Sequence, residues 1–267
     1  MKSSDRTATS FSLPELTYRV WKVWRRDFDV FMKTYKVNFF PPLLEPIFYL
    51  VALGYGLGTL VQKIQGMPYI NFIAPALIAI SMMNSSFFEC TYGSFVRMYF
   101  QKTFDAIIAT PVSIEEVIAG ELVWGATRSL ISSSIVVGVV AAFGLITSPL
   151  FLLIPIVAFF AGLLFSAIAM CFTSIAPNID FFNYPAFLLI TPMFLLSGTF
   201  FPLADLPGFM QIIAKAFLPL THAVSLTRAL IVGNLESSLL ISLIWIAVAT
   251  PVFFVLSINL MKRKLIK

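Results

Sequence analysis

Six stretches of mostly apolar residues, each about twenty residues long, restrict the fold of this chain more than any other feature of its sequence. An α-helix rises about 1.5 Å per residue, so about twenty residues cross the hydrocarbon core of a bilayer. We therefore predict membrane helices at residues 40–60, 69–92, 117–146, 150–176, 181–200 and 239–261. Because 59% of the 267 residues are hydrophobic and 12% are charged, the chain fits an all-α polytopic membrane protein better than a soluble domain.

The positive charges predict the side of the membrane on which each loop lies. Of the 18 Lys and Arg residues, eight precede residue 37, two lie near residue 100, and four follow residue 261. Only Lys63, Lys215 and Arg228 fall in loops of the other side. Because short segments rich in Lys and Arg stay in the cytoplasm, we expect both termini to be cytoplasmic. This topology explains the net charge of +5 without a nucleic-acid partner.

Aromatic residues recur every three or four positions before the first span, at Tyr18, Trp21, Trp24, Phe28 and Phe31. This spacing is typical of an amphipathic helix that lies in the membrane interface. Such an interface helix is either a simple anchor, or a cytoplasmic gate or lipid entry collar.

We assign residues 1–37 to a cytoplasmic region with this helix, residues 38–261 to the transmembrane domain, and residues 262–267 to a basic cytoplasmic tail.

The stretch between the second and third predicted spans is too polar to cross the membrane and too apolar for an ordinary linker. Phe104, Ile107 and Ile108 share one helical face, and Pro111 ends that turn. Ser113 with an acid three residues later reads as a capping box that opens the next helix. The pattern predicts a short cytoplasmic helix parallel to the membrane. It is either a knob for a groove in a cytoplasmic partner or merely an amphipathic loop.

Residues 194–235 form a second irregular region, on the predicted outer side. Its two apolar pieces, residues 209–218 and 223–232, are too short to cross a bilayer. The helix breakers around them are Pro202, Pro207, Gly208 and Pro219. We predict two short re-entrant or interfacial helices. Since broken backbone at membrane depth is tolerated only against protein or water, the region is an outer gate, part of a translocation route, or a plain extracellular cap.

Four ionisable residues lie within predicted spans: Glu45, Glu89, Glu121 and Arg128. A charge at the centre of a bilayer costs roughly 2.5–3.5 kcal/mol on insertion scales, so we expect these side chains to face protein or water. They serve either structural pairing or a substrate path.

The sequence offers no motif for ATP binding, for histidine-based catalysis or for disulfide bonds. The stretch GELVWGAT from Gly120 has no lysine for an ATP-binding loop. His222 is the single histidine, and we interpret it as a satisfied interfacial residue. Cys90 and Cys171 lie in apolar stretches and offer no disulfide framework. A membrane enzyme that uses a carboxylate, serine or cysteine, and a passive channel or scaffold subunit, are the alternatives to a transporter.

Five segments together resemble the type 2 ABC exporter permeases, and in particular the branch of the rhizobial nodulation-factor (lipo-oligosaccharide) export permeases. They are FIAPALIA at 72–79, FECTYGSFVRM at 88–98, QKTFDAIIATPVSIEEVIAGEL at 101–122, ITPMFLLSGTFFPLADLP at 190–207 and FLPLTHAVSLTRAL at 217–230. The resemblance implies a homodimer of this chain with two copies of a separate ABC ATPase, embedded in membrane lipids. That ATPase would bind ATP and Mg, whereas this chain would hold no cofactor, metal or catalytic residue. The pair would export an amphiphile, such as a lipid-linked saccharide or a hydrophobic drug, across the bacterial inner membrane.

The resemblance also assigns roles to particular residues. The predicted contacts with the ATPase, made by a coupling helix, are Arg97, Lys102, Thr103, Phe104, Asp105, Thr110, Pro111 and Ser113. Among these, the Phe104 ring is expected to enter a groove of the ATPase. Candidates along the substrate path are Glu45, Phe88, Glu89, Tyr92, Ser197 and Thr199. The candidates for the outer gate are Phe200, Phe201, Pro202 and Pro207.

Overall fold

The computed structural model describes residues 13–61, 63–64, 66–235 and 238–266. Residues 1–12 of the predicted cytoplasmic region and Lys267 of the predicted basic tail lie outside the described residues. Within them the chain is helical apart from loops and one small hairpin. The elements are α1 (Arg19–Lys33), α2 (Tyr35–Thr59), β1 (Lys63–Ile64), β2 (Met67–Pro68), α3 (Tyr69–Phe100), α4 (Thr103–Ile108), α5 (Ile114–Ala142), α6 (Pro149–Ile175), α7 (Ile179–Leu196), α8 (Gly208–Phe217), α9 (Pro219–Val232) and α10 (Leu239–Leu265). The hairpin strands are antiparallel.

Six helices are long and apolar enough to cross a membrane, namely α2, α3, α5, α6, α7 and α10. The prediction of an all-α protein with six spans is therefore confirmed. The largest difference is in α3, which reaches residue 100 instead of residue 92. Its last turns are π-helical at Glu89–Gly93 and Val96–Phe100. The helix continues past the apolar stretch because its polar residues there pair inside the protein.

Helices α3, α5 and α6 form the centre of the bundle, where Phe72, Phe87 and Phe165 are fully buried. Small residues bring these helices close together. A Cβ atom at Gly162 of α6 would collide with the Ser129 side chain of α5, and the Ser129 hydroxyl donates to the carbonyl oxygen of Ala158 at 2.9 Å. Such close backbone approach is typical of helix pairs in membranes.

The two ends of the bundle hold different elements. Lys264 at the end of α10 donates to the carbonyl oxygens of Thr173 and Ala176 at 2.9 and 2.7 Å, so α6 and α10 end together, at the end where α1 and α4 lie. We call this the α1 end. At the other end, the amide of Thr147 between α5 and α6 donates to the carbonyl oxygen of Ile231 in α9 at 3.2 Å. We call it the hairpin end.

The predicted amphipathic helix is present as α1. Its buried side carries Val23, Asp27 and Phe31, spaced four residues apart, and it packs against α5. A Cβ atom at Gly120 would lie 2.6 Å from Cβ of Val23, so α1 depends on a glycine in α5 for its close approach. The opposite side of α1 stays exposed, with Trp21 59% accessible.

The predicted pair of short helices at the hairpin end is also present. Helices α8 and α9 meet at an angle of 87°. Pro219 stands at the start of α9, where its missing N–H is of no consequence, and it prevents α8 from continuing.

Candidate functional site

Helix α4 is short and has one side buried within the chain. Phe104 is fully buried as part of the apolar core. The prediction that its ring enters a groove of a partner is therefore wrong, because the ring points into this chain. Phe104 instead anchors α4 to the bundle.

The opposite side of α4 and the turn after it form an exposed surface. Lys102 begins this segment with a φ of 53°, a left-handed conformation that is uncommon for a residue with a side chain and that turns the chain sharply out of α3. We call the exposed set the coupling surface: Lys102, Asp105, Ala106, Ala109, Thr110, Pro111 and Ser113. Thr103, which was predicted with them, is half-buried.

The far end of this loop is fixed by the capping box that the sequence predicted. The amide of Glu116 donates to Oγ of Ser113 at 3.2 Å, and the amide of Ser113 donates to Oε2 of Glu116 at 2.8 Å. The Thr17 hydroxyl also donates to Glu116, and Arg19 donates to the carbonyl oxygen of Pro111. The loop is thereby bound to the segment that leads into α1.

Glu115 connects the same loop to two further segments. Its Oε2 accepts the amide hydrogen of Glu15 at 2.7 Å, and its Oε1 lies 2.5 Å from Nζ of Lys262 near the end of α10. A displacement of the loop must therefore move the α1 segment and α10 with it, or break these contacts.

Six charged side chains meet at the α1 end of the bundle, where α1, α3 and α5 converge. We call them the ion-pair cluster: Arg26, Asp27, Glu89, Arg97, Glu121 and Arg128. Arg97 is its centre, with Nη2 2.5 Å from Oε2 of Glu121 and Nη1 2.8 Å from Oε1 of Glu89. The Nε of Arg97 donates to both carboxylate oxygens of Glu121 at 3.0 Å, and the Ser94 hydroxyl donates to Oε2 at 2.7 Å.

The remaining members surround this centre. Arg26 pairs with Asp27 and lies 3.8 Å from Oε1 of Glu121. Arg128 approaches Oε2 of Glu89 to 3.4 Å through Nε, while the indole N–H of Trp124 donates to Oε1 of Glu89 at 3.0 Å. Because three cations and three acids are paired, the cost of burying each charge is partly offset by its partners.

Asp27 is the acid of the cluster that lies outside the membrane helices. Burial raises the pKa of this carboxyl from 3.8 to about 7, and the neighbouring Glu121 carboxylate adds to the increase. Arg97 and Arg26 oppose it. The charge of the cluster therefore changes near neutral pH.

Arg97 is the second predicted coupling residue, after Phe104, that the structure places inside this chain. Arg97 does not face outward with the coupling surface, because its guanidinium is held in the ion-pair cluster. Glu121 faces protein, and Glu89 and Arg128 are paired at the wall of a cavity, which agrees with the expectation that these side chains face protein or water. Glu45 instead lies on the exposed surface of α2.

A cavity of about 570 Å³ opens beside the ion-pair cluster. Its wall comes from α1, the start of α2, the last turns of α3, Thr103 at the start of α4, and α5. Two of the predicted substrate-path residues, Glu89 and Tyr92, line it. Phe88, Ser197 and Thr199 are not among its lining residues.

The predicted path residues Ser197 and Thr199 lie with the predicted gate residues at the hairpin end, whereas the Phe88 ring lies beside Tyr92. Ser197 and Thr199 are buried in the turn after α7, and the Thr199 hydroxyl donates to the carbonyl oxygen of Phe194 at 2.5 Å. The Phe200 ring packs on Phe194, Phe201 is exposed, Pro202 is buried and Pro207 is exposed. Arg228 of α9 holds this turn, since its Nη2 donates to the carbonyl oxygens of Gly198 at 2.9 Å and Phe72 at 3.2 Å.

His222 is buried, and both of its ring nitrogens have partners, as the interpretation of a satisfied residue requires. Its ring nitrogens lie 3.1 Å from Oγ of Ser242 and 3.0 Å from the carbonyl oxygen of Lys215, and its ring stacks on Trp245. These contacts join α8, α9 and α10, so the histidine serves packing, as its isolated occurrence in the sequence suggested.

Residues 18–232 match the profile of the family described as ABC-2 type transporter. That region contains α1 to α9, with the coupling surface and the whole ion-pair cluster.

The chain belongs to the ABC-2 type transporter family. The resemblance stated from the sequence is thereby confirmed. This ABC-2 permease is a multi-pass membrane protein that functions in transport.

Individual relatives agree with the family. Nodulation protein J of Rhizobium meliloti (strain 1021) is 37% identical over 225 residues, which cover 84% of this chain and 85% of the relative. Nodulation protein J of Rhizobium leguminosarum bv. viciae is 35% identical over 247 residues, 92% of this chain and 94% of the relative. The inner membrane transport permease YadH of Escherichia coli (strain K12) is 24% identical over 189 residues, 71% and 73% of the two chains.

Sequence reasoning missed several members of the site in this ABC-2 permease. Arg26 and Asp27 of α1, Ser94 of α3 and Trp124 of α5 received no role from the sequence. A signal for Asp27 does exist, because it stands between Val23 and Phe31 in the stripe of α1 that is otherwise apolar. An acid in such a stripe requires a buried partner.

Proposed function

We propose that this chain is the permease subunit of an ATP-driven exporter in which two copies of the chain pair with two copies of a separate ABC ATPase. The permease moves an amphiphile, such as a lipid-linked saccharide or a hydrophobic drug, out of the cytoplasm or the inner leaflet. The ATPase binds ATP and Mg. The complex lies in the bacterial inner membrane with the α1 end in the cytoplasm.

The coupling surface is the observation that carries this proposal. It is exposed and rigidly mounted, because Phe104 anchors one side of α4 and the capping box fixes the following turn. A surface held in this way transmits a push instead of absorbing it. The family membership supports an ABC ATPase as the partner.

The contacts of the loop suggest how the push travels. Closure of the ATPase pair displaces the coupling surface, and Glu115 and Glu116 pass the movement to the α1 segment and to α10. Helix α5 begins at this point and carries Glu121 of the ion-pair cluster. The movement thus reaches the ion-pair cluster and the cavity beside it. The cavity can change between two conformations only if the ion pairs of the cluster rearrange.

The distribution of charge supports the orientation. The α1 end carries the exposed residues Lys22, Arg25, Lys33 and Lys36, together with the basic residues at the end of α10. Segments of this kind stay on the cytoplasmic side of a membrane.

The direct test is purification of the tagged chain from its native membranes in mild detergent, followed by mass spectrometry and an ATP hydrolysis assay. We expect an ABC ATPase and ATP hydrolysis in the eluate. An Asp105→Arg variant should lose the ATPase, whereas Asp29→Arg, the same change on the exposed side of α1, should retain it. Recovery of the wild-type chain without an ATPase would favour a membrane enzyme or a channel.

A further inference from the structure

Two arginines line the cavity with N–H groups that have no acceptor. Arg26 bonds through Nη2, and its Nε and Nη1 have no hydrogen-bond partner among the described residues. Nε of Arg128 has no hydrogen-bond partner among the described residues, although it lies 3.4 Å from Oε2 of Glu89, and the guanidinium lies over the Phe31 ring at 4.9 Å. A guanidinium has five donors, so several donors remain available on this wall.

Carboxylate oxygens that could accept these donors are scarce. Glu121 is occupied by Arg97 and Ser94, and Oε1 of Glu89 is occupied by Arg97 and Trp124, while Oε2 of Glu89 lies 3.4 Å from Nε of Arg128. Within the described residues, Oδ2 of Asp27 is a buried carboxylate oxygen without a partner. Burial raises the pKa of Asp27 to about 7, so near neutral pH this oxygen is partly converted to a donor. Among the charged groups of the cavity wall, N–H donors without a hydrogen-bond partner therefore outnumber carboxylate oxygens without one.

A ligand that complements such a wall presents anionic oxygens. Arginine binds phosphate and carboxylate groups through paired N–H bonds, and these charge-assisted bonds are stronger than neutral ones. The volume of about 570 Å³ is ample for such a group and part of the molecule that bears it. A cavity that bound only neutral hydroxyl groups would need acceptors as well as donors, because each hydroxyl group both donates and accepts hydrogen bonds.

The position of the cavity indicates that the ligand is an amphiphile. Its wall continues through Val30 and Thr34 to Asn38, at the junction of α1 with α2. Val30 is 55% exposed there, and Val37 and Phe40 extend an exposed apolar surface along the start of α2. An alkyl chain attached to the head group has an apolar path from the cavity to the membrane.

We propose that this cavity binds the oxyanion head group, a phosphate ester or a carboxylate, of a membrane-embedded amphiphile, with Arg26 and Arg128 as its ligands. The identity of the bound molecule as the transported substrate rests on the proposed function. The binding of an oxyanion head group in this cavity does not depend on the proposed function.

The test measures binding to the purified chain in neutral detergent, without ATPase, by isothermal titration calorimetry. The probes are dodecyl phosphate, inorganic phosphate and dodecyl maltoside. We expect dodecyl phosphate to bind, with at least about tenfold weaker binding by Arg128→Gln and by Arg26→Gln. Arg25→Gln, the same change at an exposed position that does not line the cavity, should bind like the wild type.

Each contrary outcome overturns the proposal. Equal binding of dodecyl maltoside would show that the cavity does not select an oxyanion. Inorganic phosphate binding as tightly as dodecyl phosphate would identify a site for a free anion instead of an amphiphile. Wild-type affinity in both arginine variants would place the site elsewhere. If Arg128→Gln does not give a monodisperse protein, Arg26→Gln decides, because its side chain is 30% exposed. Because no ATPase is present, loss of binding and loss of ATPase capture are separate results.

Discussion

Replacing Glu121 by Gln removes the negative charge that holds the centre of the ion-pair cluster. Glu121 has no exposed surface, and it receives Arg97 at 2.5 and 3.0 Å and Ser94 at 2.7 Å. Breaking a buried pair by changing one partner costs about 3–5 kcal/mol, because the other charge stays buried and unpaired. For a chain of this size we therefore expect the melting temperature to fall by roughly 6–20 °C.

The assay is thermal unfolding of the purified chain in detergent, monitored by circular dichroism. Glu45→Gln is the matched control, since Glu45 is also a carboxylate in a span but is exposed and has no ion pair among the described residues. A double variant, Glu121→Gln with Arg97→Gln, should lose less than the sum of the two single variants. A melting temperature for Glu121→Gln equal to that of Glu45→Gln would refute the view that the cluster stabilises the α1 end.

Three further predictions concern the same end of the bundle. Asp27 has a folded-state pKa of about 7, above its usual 3.8. Its contribution to stability is therefore full below about pH 4 and is lost as the pH rises through 7. Melting temperatures measured over a pH series should show this decline, and the Asp27→Asn variant should show a flatter dependence on pH. Phe104→Ala should cost about 3–5 kcal/mol in chemical unfolding, because the ring is fully buried, and an unchanged midpoint would contradict that packing. Gly120→Ala should destabilise the chain by about 1–3 kcal/mol, because the added Cβ atom clashes with Val23. Gly138→Ala should be tolerated, since a Cβ atom there has no neighbour within 4 Å. Equal midpoints of chemical unfolding for the two variants would argue against the close approach of α1 to α5.

The fold was predictable from the sequence because its strongest signals are local. Apolar length predicted the six spans, the spacing of aromatic residues predicted α1, and the proline pattern predicted the break between α8 and α9. The capping box of Ser113 and Glu116 was likewise contained in four consecutive residues. Each of these features depends on neighbours within one or two helical turns.

The candidate site was only partly predictable because its contacts join distant segments. Glu121 pairs with Arg97 across 24 residues of sequence, and the Trp124 indole reaches Glu89 across 35. No periodicity in the sequence reports such pairs. Arg97 was therefore placed with the loop that follows it, although the π-helical turns of α3 carry it inward.

Phe104 illustrates a different limit. The amphipathic pattern of α4 correctly indicated that one face of the helix is covered. It contained no information on whether this chain or a partner covers it, because both solutions bury the same residues. Only the packing of α4 against the bundle decides between them, and it places Phe104 in the core of this chain.

The most direct test of the central claim is cysteine cross-linking from the coupling surface to the co-purified ATPase. Thr110→Cys places a thiol on the exposed coupling surface, and Thr147→Cys places one at an exposed position at the hairpin end. The wild-type chain reports any background from Cys90 and Cys171. We expect a cross-link to the ATPase from Thr110→Cys and none from Thr147→Cys. A cross-link from the hairpin end, or none from Thr110→Cys while the ATPase co-purifies, would contradict the central claim.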